Sequence, residues 1–197
     1  MKKNKIAYMA KIGVLGAVAA VIMLLEFPLP FAPPFYKLDL SESVVLMAGF
    51  AMGPMAAVLT ELVKILLNLI FNGTVTALVG EAANFIIGVA FVLPAAFIYK
   101  KHKSFGFALL GMGVGSISLV ILGAAVNYFI MIPAYARFMI PMDTIINMGT
   151  AVNSSIDSLW TLILFATVPF NLLKGVVCSI IATLVYKRVS PILHKEF

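Results

Sequence analysis

Charge is what this sequence lacks most. Only 11% of its 197 residues are Asp, Glu, Lys or Arg, against about 25% in soluble domains. Hydrophobic residues make up 62%, and mean hydropathy is +1.09. Such a chain cannot cover a water-facing surface, so the expectation is an integral membrane protein forming one domain over residues 1–197. Cysteine is nearly absent as well. Cys178 stands alone, which excludes an intrachain disulfide. His102 and His194 lie far apart, and with a single Cys they form no metal-ligand pattern. No Gly-x-x-x-x-Gly-Lys-Ser/Thr run occurs, so the chain holds no ATP engine, and any energy must come from a partner or a gradient. Ser154, Ser155 and Asp157 have the residue types of a hydrolytic site. Both histidines are expected at the opposite face, no base is in reach, and no catalytic residue is assigned.

What charge there is lies in clusters. Lys2, Lys3, Lys5 and Lys11 open the chain, Lys100, Lys101 and Lys103 lie mid-chain, and Lys187, Arg188 and Lys195 come near the end. Basic groups flanking apolar spans mark cytoplasmic ends. The net charge of +6 therefore points to a membrane, not to nucleic acid.

Residues 26–41 are the one stretch that fits no helix. Pro28, Pro30, Pro33 and Pro34 break it, while Leu29, Phe31, Phe35 and Tyr36 keep it apolar. Irregular backbone of this kind is not tolerated against lipid, so it sits at an interface or lines a protein cavity. Either a lid or a rigid connector meets that description. As a lid it presents its apolar residues at little entropic cost, with Leu38 and Leu40 closing over a ligand.

An all-α bundle of six transmembrane helices is predicted around this stretch. The first covers residues 6–26 and is an uncleaved span, too long for a signal peptide. It carries Gly13, Gly16, Ala17 and Ala20, two pairs of small residues four apart, suited either to packing within the bundle or to docking a partner. The apolar run 41–71 must break at Gly53-Pro54, into helices 41–52 and 54–71. As a single span it would send Lys100–Lys103 to the wrong side of the membrane. The second helix is then about 18 Å long, short for a hydrocarbon core of about 30 Å, and the proline stretch dips inward to meet it. Helix three holds Glu61, Lys64 and Asn68 on one face, with Glu61 and Lys64 spaced to neutralise each other. Helices 76–99, 104–131 and 156–189 follow, the last two separated by a connection of about 24 residues.

By helical rise, Asn127, Asn171, Lys174, Glu81 and Glu26 fall in the outer third of the bundle, beneath the proline stretch. Buried without partners, these groups would cost several kcal/mol. Either bonds between helices or a polar ligand between apolar walls satisfies them, and the set as a whole argues for a pocket.

A six-helix chain of this size resembles the substrate-binding S components of energy-coupling factor (ECF) vitamin transporters. The residues that carry the resemblance are Phe27-Pro28-Leu29-Pro30-Phe31, Tyr36-Lys37-Leu38-Asp39, Gly53-Pro54, Glu61-Leu62-Val63-Lys64 and Pro169-Phe170-Asn171-Leu172-Leu173-Lys174-Gly175. They are most similar to the riboflavin-specific branch. The resemblance implies a high-affinity riboflavin receptor, with FMN a related candidate, and no enzymatic activity or catalytic cofactor. It implies a membrane coupling subunit and two cytoplasmic ATPases as partners, and a place in the cell membrane with both termini cytoplasmic. Asn127, Asn171 and Lys174 would bond the flavin ring and ribityl chain, and helix one would dock the coupling subunit. In the family that face has alanines four apart; here Gly13/Ala17 and Gly16/Ala20 come nearest. A receptor for thiamine or pantothenate, or a stand-alone carrier, is the alternative.

Overall fold

The computed structural model describes the backbone of residues 2–74 and 78–193, and the side chains of residues 5–74 and 78–186. Its described residues form seven helices, of which five are long and apolar enough to cross a membrane. Helix α1 spans Lys2–Met23, and α2, Glu42–Met52, is the short apolar one. Next are α3, Pro54–Asn72, and α4, Val79–Lys101. Helix α5 runs Phe105–Phe138, α6 is Met142–Thr150, and α7 starts at Leu159 and continues through Val168–Leu193.

The core forms around α2. Val44, Val45, Leu46, Met47, Ala48 and Phe50 are all buried, against Leu15 and Ala19 of α1, Phe91 and Ala95 of α4, Leu119 of α5 and Cys178 of α7. A helix apolar all round belongs in the centre of a bundle. It ends where the sequence breaks it. Gly53 has φ of +100°, which a residue with a Cβ rarely adopts, and Pro54 then opens α3, where its missing N–H does no harm.

Several sequence expectations change. Helix α1 ends at Met23, three residues early, which places Glu26 in the loop and away from the polar set. The loop itself is not wholly irregular. Strands β1, Phe27–Pro28, and β2, Lys37–Leu38, pair antiparallel with Phe27 opposite Leu38, and Lys37 bonds Glu26 across the ribbon at 2.7 Å. The fold is predominantly helical rather than strictly all-α. The expected start of α4 at residue 76 lies outside the described residues, as do His194 and Lys195.

The predicted connection 132–155 is mostly helix. Helix α5 continues past Pro133 because a π turn, Asn127–Met131, precedes it, with Ile132 N donating to Asn127 O. Widening the helix there removes the demand for the bond that proline cannot make. Helix α7 uses the same device: the π turn Ile163–Thr167 comes just before Pro169. It starts at Leu159, later than expected, where Ser158 and Thr161 form a reciprocal capping box.

The small residues of α1 divide into two faces. Gly16 and Ala20 are buried, and a Cβ on Gly16 would collide with Val63 of α3. Gly13 and Ala17 are exposed, with open space around Gly13. Half of the expected docking set thus packs inside the bundle.

Candidate functional site

Five charged side chains meet inside the bundle. Lys64 of α3, 1% exposed, lies 2.7 Å from Glu42 Oε1 at the start of α2 and 2.7 Å from Glu61 Oε1 one turn back on its own helix. Lys174 of α7 lies 2.8 Å from Asp39 Oδ2 in the loop and 3.9 Å from Glu42 Oε1. The result is a continuous chain, Glu61–Lys64–Glu42–Lys174–Asp39, joining loop, α2, α3 and α7. Asp39 also accepts from the backbone N–H and hydroxyl of Ser41, turning the backbone into α2. Helix α4 makes room with Gly88, where a side chain would run into the Glu61 carboxylate.

A neutral polar group of sites lies beside this chain. Tyr36 leaves the loop and donates from its hydroxyl to Asn127 Oδ1 at 3.2 Å, and that hydroxyl is 2.6 Å from Thr167 Oγ1. Its ring stacks on Phe170, with centroids 5.2 Å apart and planes at 27°. Asn127 Nδ2 donates to Gly123 O at 2.8 Å. Asn171 lies against Gly123, where a Cβ would meet its amide nitrogen. Both π turns supply this cluster: Asn127 is the first residue of one and Thr167 the last of the other.

Asn127, Asn171 and Lys174 are thus collected from α5 and α7 under the loop, as the rise argument expects. Leu38 is buried with Ile132, Ile145, Ile156 and Phe170, and Leu40 is partly buried against the same group. Glu81 lies near Tyr135, which packs against that group. It stands in the first turn of α4, where the Thr74 hydroxyl donates to it at 3.1 Å. Lys174 meets Asp39 and Glu42.

Asp39 and Glu42 are the members that sequence reasoning passed over. Charge balance could have found them. Two buried lysines need more than Glu61, and the nearest other acids in an apolar setting flank the start of α2. Among the described residues, four buried side-chain atoms have neither a hydrogen-bond nor an ion-pair partner: Glu42 Oε2, Thr60 Oγ1, Glu61 Oε2 and the Asn171 amide nitrogen. Such atoms are costly to leave unpaired, and an unpaired donor in apolar surroundings suits an uncharged ligand that brings acceptors.

The serine-rich turn has a different role. Asp157 accepts from the Thr161 hydroxyl at 2.9 Å, and this bond, with that from Ser158, holds its carboxyl below the ordinary value. Its hydrogen bonding supports the start of α7.

An apolar bundle with five helices long enough to cross a membrane, and with buried polar groups gathered beneath a loop, defines a membrane-embedded protein. The family description "ECF transporter, substrate-specific component" matches residues 7–186, and the chain belongs to that family. It is 35% identical over 195 residues to the riboflavin transporter RibU of Staphylococcus aureus (strain TCH60), covering 99% of this chain and 95% of that protein. To the riboflavin transporter FmnP of Bacillus subtilis (strain 168) it is 31% identical over 193 residues, covering 98% and 96%. A solved structure described as the S component of a bacterial ECF transporter aligns with a TM-score of 0.73 at 32% identity, over 97% of this chain and 99% of that one.

Removing the shared cation tests the buried chain. Lys64→Met leaves Glu42 and Glu61 facing each other without it, and breaking a buried pair this way costs about 3–5 kcal/mol. Denaturation of the ligand-free protein in detergent should register a loss of that size. A loss below about 1 kcal/mol, the range of exposed pairs, would contradict the arrangement.

Proposed function

We propose that this protein is the riboflavin-binding subunit of an ECF transporter, a receptor and not an enzyme. It captures the vitamin from outside the cell and hands it to a membrane coupling subunit driven by two partner ATPases. The family membership and two riboflavin-transporting relatives at 31% and 35% identity support this reading. The carrying observation for the site is the buried, unpartnered Asn171 amide beside Asn127 and Lys174. An isoalloxazine ring offers carbonyl acceptors and an imide donor. Asn171 complements the imide edge, Lys174 supplies a donor to a ring carbonyl, and Asn127 takes a ribityl hydroxyl. FMN shares the ring, and its phosphate would have to remain outside the polar cluster. Leu38 and Leu40 close the site from above.

The chain works as a single membrane domain with six passes, α2 completing its pass with the inward-dipping loop. Both termini and Lys100–Lys103 are cytoplasmic, and the 24–41 loop faces outside. Exposed Phe129 and Trp160 at the loop end suit an outer interface. Gly13 and Ala17 form the exposed face of α1 that docks the coupling subunit.

Asn171→Leu is the variant of choice, since it keeps the volume and removes a donor that no described residue accepts from. Riboflavin titration by calorimetry should give an affinity about three- to tenfold weaker, the worth of one neutral hydrogen bond. The ligand-free melting temperature should hold or rise. Unchanged affinity in the folded variant would refute the site. For topology, single cysteines at Lys101 and Asp143 in a Cys178→Ala background should differ: an impermeant thiol reagent on intact cells should label 143 and spare 101. Labelling at 101 would rule out six passes.

A further inference from the structure

Tyr36 and Asp39 come from one short stretch of loop, and each already holds a group that the riboflavin reading assigns to the vitamin. Asp39 holds Lys174. Tyr36 is the more telling of the two. Its phenol is an aromatic ring with a polar edge, stacked on Phe170 and bonded to Asn127 and Thr167. A phenol has one proton to give. With that proton committed to Asn127, the oxygen accepts from Thr167, so one hydroxyl serves two buried partners on two different helices. Those are the demands that a hydroxylated chain beside a flavin ring would meet.

We infer that Tyr36 is an internal competitor for the ligand. Its hydroxyl holds Asn127 and Thr167 and its ring covers Phe170; riboflavin displaces it and takes over those partners. The inference rests on the riboflavin reading above. Two features of the loop make the exchange workable. The prolines and the β1–β2 ribbon hold the loop in one shape, so the phenol is returned to the site after release. No charge is abandoned by Tyr36 when it leaves. The displaced groups are satisfied again by the ligand's hydroxyls, and the measured affinity is the difference between the two sets of bonds.

This makes a quantitative claim about flavins with and without the ribityl chain. Both must evict the same hydroxyl. Removing that hydroxyl should therefore help both equally, whatever else distinguishes them. Tyr36→Phe keeps the ring and the stack and deletes only the competing group. Titrating the purified variant and the unaltered protein with riboflavin and with lumiflavin, the same ring carrying no hydroxylated chain, separates the roles. Both affinities should tighten by the same factor, about three- to tenfold. Weaker riboflavin binding with lumiflavin unchanged would mean that the hydroxyl bonds the bound vitamin, and would overturn the inference. No change in either affinity would overturn it too, whether or not the variant melts lower. A second measurement needs no variant: by stopped flow on the unaltered protein, the observed binding rate should level off as riboflavin is raised, since the phenol must leave first. A rate that climbs linearly throughout would contradict displacement. Failure of the riboflavin reading itself looks different, because the unaltered protein would then bind neither flavin, and the inference would fall with it.

Discussion

The structure depends on keeping charge paired where water is absent. Three carboxylates and two ammonium groups lie inside an apolar bundle, and none of the five could be left alone there without a large cost in free energy. Pairing them fixes geometry. Lys64 can reach Glu42 and Glu61 only if α2 starts at the level of the middle of α3. Lys174 can reach Asp39 only if the loop descends to α7. The short α2 and the inward path of the loop are thus two consequences of one constraint. Replacing such a chain by apolar residues of similar volume is often neutral for stability, so its value here lies in fixing where the loop sits against α7.

The second constraint is local and backbone-made. Pro133 and Pro169 each lie in a helix that should bend or break, and in each case a π turn just before the proline lets the helix continue. The two turns face one another across the site, where they set Asn127 and Thr167 on either side of the Tyr36 hydroxyl. Charge therefore anchors one edge of the loop and neutral hydrogen bonds the other, three residues apart.

Much of this was legible in the amino-acid sequence, for physical reasons that can be named. Long apolar runs and clustered lysines mark spans. Gly53-Pro54 marks the break in 41–71, because a positive φ followed by a missing N–H leaves the chain little else to do. Glu61 and Lys64 are three apart on one helix, so their pairing is local. Asp39 and Glu42 were not legible in the same way, since their partners lie 135 and 22 residues away. The π turns leave no periodic signal, and proline alone argues for the helix end that was expected at residue 131. Rise along α5 and α7 anticipated that Asn127 and Asn171 lie close, and both meet at Gly123.

The claim that the loop is held down through Asp39 and Lys174 is tested most directly by a double-mutant cycle on the stability of the ligand-free protein. Asp39→Asn, Lys174→Met and the pair together are unfolded in the same detergent. If the two side chains act as one contact, the double variant should lose less than the sum of the singles by about 1–3 kcal/mol, the range for directly interacting residues. Losses that add within about 0.5 kcal/mol, as independent sites do, would contradict it.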